Sequence, residues 1–172
     1  MILSGIEILK KINHKIFITP FDESQLNPNS YNLKLHNELL VYDEAVLDMK
    51  KENKVKKIII PQEGYILQPG ELYLGRTVET TKAVGYVPML EGRSSIARLG
   101  IMIHLTAGLG NVGSEGHWTL EISCVRPVKI YPAIAICQIY FHELRGEFKN
   151  YNGNGKYNNQ GIQPSLIHRE LN

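Results

Sequence analysis

Ten consecutive residues, Glu91-Gly92-Arg93-Ser94-Ser95-Ile96-Ala97-Arg98-Leu99-Gly100, bring together two guanidiniums, two adjacent hydroxyls and a flexible glycine. Such a run presents mainly hydrogen-bond donors, which suits a polyanion such as a triphosphate. The acid that answers it is Glu121, in the strand-like stretch Trp118-Thr119-Leu120-Glu121-Ile122. Side chains alternate along a strand, so Thr119, Glu121 and Ser123 share one face and Leu120, Ile122 and Cys124 the other. A polar face with one carboxylate is the geometry of a wet cleft or of plain surface. In a partly apolar cleft the carboxyl pKa would rise toward the range useful for proton transfer.

Few other acids compete with it. Aspartate is confined to Asp22, Asp43 and Asp48. Glu63, Glu71 and Glu79 lie among turn and surface signals, Glu115 sits in a Gly-rich turn, and Glu143, Glu147 and Glu170 fall near the charged end. Zinc-dependent nucleobase deaminases require His-x-Glu and Pro-Cys-x-x-Cys strings, and neither is present, so no catalytic zinc and no protein-held metal are expected. His104, His117, Cys124 and Cys137 show no close ligand pairing. Ser94 and Ser95 have no histidine base near them in sequence.

The elements that must position these groups are mostly strands. Ser4 and Glu7 form a capping box, and Ile6, Leu9 and Ile12 follow at helical spacing, which predicts a short helix within residues 1–14. Proline and glycine then punctuate the chain at short intervals, with strand candidates near 31–35, 39–42, 56–60, 64–67, 72–78, 101–106, 118–125 and 134–141. This pattern predicts an all-β sandwich, barrel or jelly roll with one or two short helices, the second being a single turn over Ser94–Leu99. Lys50, Lys51, Lys54, Lys56 and Lys57 read as a solvated hairpin tip. From residue 150 the chain is rich in Asn, Gly and Gln, as a flexible tail is. Lys156, Tyr157 and Gln160 there offer a cation, an aromatic face and an amide to a ligand.

A chain of 172 residues makes one domain, residues 1–172, and its net charge of +2 shows no basic stripe for nucleic acid. No long apolar span suggests a membrane, and Cys124 and Cys137 read as buried thiols of a reduced, cytoplasmic protein.

Several motifs in order resemble the dCTP deaminase branch of the trimeric dUTPase superfamily. They are the run from Glu91 to Gly100, Thr106-Ala107-Gly108, and Gly113-x-x-Gly116-x-x-Thr119-Leu120-Glu121. Asn27-Pro28-Asn29-Ser30-Tyr31-Asn32-Leu33-Lys34-Leu35 is similar to the family's early motif, Pro132 through Gln138-Ile139 to its late one, and Gly155-Lys156-Tyr157-x-x-Gln160 to its closing tail. The resemblance implies a distorted jelly-roll β-barrel (residues 15–149) with a flexible tail (150–172) closing over nucleotide. It also implies a homotrimer with active sites shared between subunits. It implies deamination of dCTP without a catalytic metal, Mg²⁺ riding on the triphosphate, dUTP as product and dTTP as an inhibitory ligand. By position, Glu121 would be the general base and acid, with Ser94 and Arg98 fixing the attacking water. Arg93 and Ser95 would lie at the phosphate side, joined by Lys156, Tyr157 and Gln160 from the tail. Ala107 and Thr119 would read the base through backbone groups, and Asn111, Gln138 and Tyr151 would complete the binding set.

Asn32 and Asn111 stand where the family carries aspartate. An amide keeps the shape and the hydrogen bonding, but it takes no proton from water. In the dUTPase branch the second aspartate activates the hydrolytic water, so Asn111 argues against a plain dUTPase. Leu109 stands where many monofunctional deaminases carry arginine, which points toward relatives that convert dCTP to dUMP and diphosphate, whereas Asn111 points away from them. Leu166 replaces a tail arginine. The sequence therefore predicts a dCTP deaminase forming dUTP, with the bifunctional enzyme as the alternative, and a dUTPase or non-catalytic nucleotide-binding regulator beyond that.

Overall fold

A computed structural model describes residues 1–104, 106–151 and 161–171. Helix α1 (Gly5–Lys11) starts where the capping box predicts: the Ser4 hydroxyl accepts the Glu7 N–H at 3.3 Å. Glu7 lies in the first turn with Lys10 and Lys11 in the last, the order a helix dipole favours. Eleven strands follow among the described residues: β1 (Ile16–Thr19), β2 (Tyr31–Lys34), β3 (Glu38–Tyr42), β4 (Val55–Ile59), β5 (Tyr65–Leu67), β6 (Tyr73–Ala83), β7 (Tyr86–Gly92), β8 (Ile101–Met102), β9 (Glu115–Cys124), β10 (Val128–Ile130) and β11 (Ala135–Glu143). Two further short helices are α2 (Ser94–Ala97) and α3 (His168–Leu171).

One sheet runs β4-β3-β6-β9-β8, with β1 also paired to β6; a second runs β2-β11-β7, and β10 pairs with β5. A bridge from Leu35 to Thr77 links the first two. The core between them contains Leu33, Leu35, Leu39, Leu120, Ile122, Ile139 and Phe141, none of which reaches solvent. Each contributes about 1.5–3 kcal/mol relative to exposure. This is an all-β, distorted barrel-like architecture of open sheets. None of the described helices is long and apolar enough to cross a membrane.

Strand β9 has β6 on one edge and β8 on the other, with Leu74 opposite Glu121, Arg76 opposite Thr119 and Met102 opposite Ser123. Its alternation holds: Leu120, Ile122 and Cys124 are buried, while Thr119, Glu121 and Ser123 are half-exposed.

Several expectations need correcting. Strand 101–106 ends at Met102, although the Ile103 carbonyl still accepts the Glu121 N–H at 3.0 Å. Strands β1, β7 and β10 lay outside the expected set. Pro88 reads as a break, yet within β7 its carbonyl accepts from Gly110 N–H, so the missing donor costs little there. Helix α3 adds a third helix, in the segment expected to be a loose tail.

Glu79 is 2% exposed, not a surface residue, because β6 turns its odd-numbered side chains inward. Its carboxylate accepts the Lys34 N–H at 2.8 Å. Cys124 and Cys137 are free and buried, and the five lysines from Lys50 to Lys57 are exposed around the β3–β4 turn, both as expected.

Burial pushes the Glu79 carboxyl above the ordinary glutamate range of about 4.5. A raised folded-state pKa gives stability that is full below the unfolded value and is lost as pH rises through the folded value. Glu79→Gln keeps an acceptor for Lys34 N–H and removes that titration. Urea unfolding of this variant is expected to show a flatter pH dependence than wild type, with the variant gaining on wild type from pH 5 to pH 8.

Candidate active site

Glu121 projects from β9 into a cleft of about 520 Å³, within the usual range of ligand pockets. His104 stands beside it, with Nδ1 2.8 Å from Glu121 Oε2. The imidazole is 6% exposed and the carboxylate 38%, so the histidine braces the acid from the protein side while the acid meets solvent. A carboxylate only accepts, so Nδ1 carries the proton of this hydrogen bond. Nε2 is buried, with no hydrogen-bond partner among the described residues.

Three elements supply much of the rest of the wall. Leu72 and Leu74 line it from β6 and the preceding turn, and Trp118 and Thr119 from β9. The loop between β8 and β9 supplies Ala107, Leu109, Gly110, Asn111 and Ser114. This loop folds back on β7 through Leu90 N–H to Gly108 O (2.8 Å) and Gly110 N–H to Pro88 O (2.8 Å). Its glycines are there for space. A Cβ at Gly108 would meet the Leu90 carbonyl oxygen at 2.5 Å, and one at Gly110 would meet the Trp118 ring at 2.6 Å.

Trp118 is held twice, by its indole N–H to Thr81 Oγ1 (2.8 Å) and its backbone N–H to Thr77 Oγ1 (3.0 Å). The C-terminal segment crosses the cleft face. Gln163 N–H donates to Thr119 Oγ1 (3.2 Å) and Ser165 N–H to Tyr42 Oη (3.0 Å), and Tyr151 N–H donates to Val112 O (2.8 Å).

Of the residues expected from sequence, the structure gathers Glu121, Ala107, Asn111, Thr119 and Tyr151 in this cleft. Lys156, Tyr157 and Gln160 lie outside the described residues. Arg93, Ser94, Ser95, Arg98 and Gln138 are not part of the cleft wall. Helix α2 sits past the far end of β9, where Val125 N–H donates to Gly100 O. That is four residues, about 13 Å along a strand, from Glu121. Ser94, Ser95 and Arg98 are exposed there, and Arg93 Nη1 donates to Ala135 O at 2.8 Å.

Gln138 and Asn32 belong to a network between strands. Gln138 accepts from Ser30 Oγ at 2.8 Å and donates to Gly92 O at 3.3 Å. Asn32, 8% exposed, accepts from Asn27 Nδ2 at 3.0 Å. The departure from aspartate at position 32 therefore keeps the buried Asn32 amide paired with the half-buried Asn27 where a carboxylate would bury charge.

His104 went unread in the sequence. The register of β8 on β9, Ile101 opposite Cys124 and Met102 opposite Ser123, places residue 104 opposite 121 when continued by two residues.

The dCTP deaminase-like family matches residues 2–144 of the chain. A protein of Hathewaya histolytica named dCTP deaminase, dUMP-forming, is 63% identical over 172 residues, 99% of each chain. One of the same name from Clostridium acetobutylicum is also 63% identical over 99% of each chain. Among solved structures, the 2′-deoxycytidine 5′-triphosphate deaminase of Agrobacterium tumefaciens superposes with a TM-score of 0.65 at 21% identity. That match covers 81% of this chain and 47% of the other, and it bears on the fold.

Gln138→Leu leaves the Ser30 hydroxyl and the Gly92 carbonyl without their partner. Urea unfolding is expected to register a loss of about 1–3 kcal/mol.

Proposed function

The chain belongs to the dCTP deaminase-like family, and from that premise we propose that it hydrolyses dCTP to dUMP, ammonia and diphosphate. The observation that carries the first step is the braced, solvent-facing Glu121 in a ligand-sized cleft. His104 occupies Oε2 and leaves Oε1 for water. Glu121 takes a proton as the water oxygen bonds to C4 of cytosine. It returns a proton to the amine, the C4–N4 bond breaks, and ammonia leaves. Positioned proton transfer of this kind contributes about 10²–10⁴-fold.

The product differs from the dUTP expected on sequence alone. Full-length relatives at 57–63% identity carry the dUMP-forming name, which supports the bifunctional alternative. Leu109 in the cleft wall agrees with it. Asn111, also in the wall, can orient water or phosphate but takes no proton. The second hydrolysis, in which a water oxygen bonds to Pα as the Pα–O bond to the leaving diphosphate breaks, thus depends on a proton acceptor other than Asn111.

Ser94, Ser95 and Arg98 reach this chemistry if α2 of one subunit completes the cleft of another. Their exposure, away from their own Glu121, supports that arrangement and the homotrimer implied by the resemblance. The tail residues Lys156, Tyr157 and Gln160, with Arg93, are assigned to phosphate and sugar.

Incubation with dCTP and Mg²⁺ is expected to release ammonia and form dUMP and diphosphate directly. Accumulation of dUTP would restrict the enzyme to deamination, and the absence of ammonia would reject the reading. Glu121→Gln is expected to lower kcat about 10²–10⁴-fold while nucleotide binding, followed by calorimetry, persists. The rate of ammonia release provides the check.

A further inference from the structure

The ladder between β6 and β9 is broken behind the cleft floor. Arg76 pairs with Thr119 and Thr80 with His117, and between those rungs the register shifts. Side chains bridge the gap. Thr77 Oγ1 accepts from Trp118 N–H (3.0 Å) and donates to Glu79 O (2.7 Å). The His117 ring reaches the same Glu79 carbonyl through Nδ1 at 3.2 Å. A carbonyl only accepts, so Nδ1 bears the proton and Nε2 is a free acceptor.

Arg76 completes the stitch. Its Nη1 stands 3.3 Å from both ring nitrogens of His117, of which only Nε2 can accept, and donates to Thr77 O at 3.3 Å. Its Nη2 lies 2.7 Å from His36 Nε2. A guanidinium only donates, so His36 too must be neutral, with its proton on Nδ1. The backbone adds His36 N–H to Arg76 O at 2.9 Å.

We propose that Arg76, clamped between the neutral imidazoles of His36 and His117, positions the Trp118–Thr119 stretch of the cleft floor and releases it when either imidazole is protonated. A proton on His36 Nε2 or His117 Nε2 replaces an acceptor with a donor and sets two cations nose to nose. The charged side chains facing the cluster do not offset this. Glu38 of β3 lies 3.7 Å from His36 Nδ1 and 4.0 Å from Arg76 Nε, but it is already paired with Lys57 of β4. The Glu79 carboxylate is engaged with Lys34 N–H, so only its carbonyl faces His117.

Burial, and next the Arg76 guanidinium, hold both imidazoles below the ordinary histidine value of about 6.5. The clamp is therefore intact above that value and is lost as pH falls through the depressed pKa. Because Thr119 and Trp118 line the binding cleft, the loss acts on KM before kcat.

The inference rests on the proposed deamination, and its test is the ratio of kcat/KM for dCTP at pH 5.5 to that at pH 7.5. Glutamine keeps an acceptor for Arg76 and does not titrate. In His36→Gln and in His117→Gln the ratio is expected to rise above that of wild type, each variant removing the part of the acid loss that its own imidazole causes, and to rise furthest in the double variant. Thermal midpoints of both variants should fall less between pH 7.5 and pH 5.5 than that of wild type. Should one variant fail to fold, the other decides. Wild-type ratios and wild-type pH dependence of the midpoint in the folded variants would overturn the clamp. A wild-type protein that releases no ammonia at any pH would overturn the proposed function instead, and the midpoints would still judge the clamp.

Discussion

Strand β9 is hydrogen-bonded on both edges, and the site depends on that pairing. A strand so held cannot slip by one residue without turning Leu120 and Ile122 outward and Glu121 into the core. The apolar side of β9 therefore fixes where the carboxylate points. The β8 edge brings His104 against Glu121, and the β6 edge brings Leu74 and the Arg76 cluster beneath the same floor. Burial on one face and acid–base geometry on the other follow from one register.

Local patterns in the sequence foretell one part of this and not the other. The alternation from Thr119 to Cys124, the Ser4 cap of the first helix, the turn at Ser94 and the lysine-rich hairpin tip are set by neighbours a few residues apart, and the structure agrees with each, although the Glu7 carboxylate pairs with Lys10 and Lys11 and not with the Ser4 N–H. Glu121 stood out because a lone acid among β-formers is conspicuous. His104, Arg76 and His36 did not, since each acquires meaning only from a partner 17 to 41 residues away. Glu79 misled for the same reason: Thr77-Val78-Glu79-Thr80-Thr81 reads as surface until its inward alternation is known. Gln138 and Asn32 match family motifs, yet their contacts here tie strands together.

The donor-rich run reads differently once folded. It lies at the far end of β9 with its serines and Arg98 in solvent, so a single chain holds the acid and the cradle apart. Leaving these donors hydrated costs little in the free protein, and on the proposed reading an anion would give them charge-assisted hydrogen bonds. The proposed oligomer would join the exposed run of one subunit to the Glu121 cleft of another.

The central claim, that Glu121 performs the proton transfer in a cleft completed by a second copy's α2, is tested most directly by mixing two inactive variants. Glu121→Gln and Arg98→Ala chains, unfolded together and refolded so that subunits exchange, are predicted to regain ammonia release from dCTP well above either variant alone. Mixed oligomers verified by mass spectrometry that stay as inactive as their components would contradict the account.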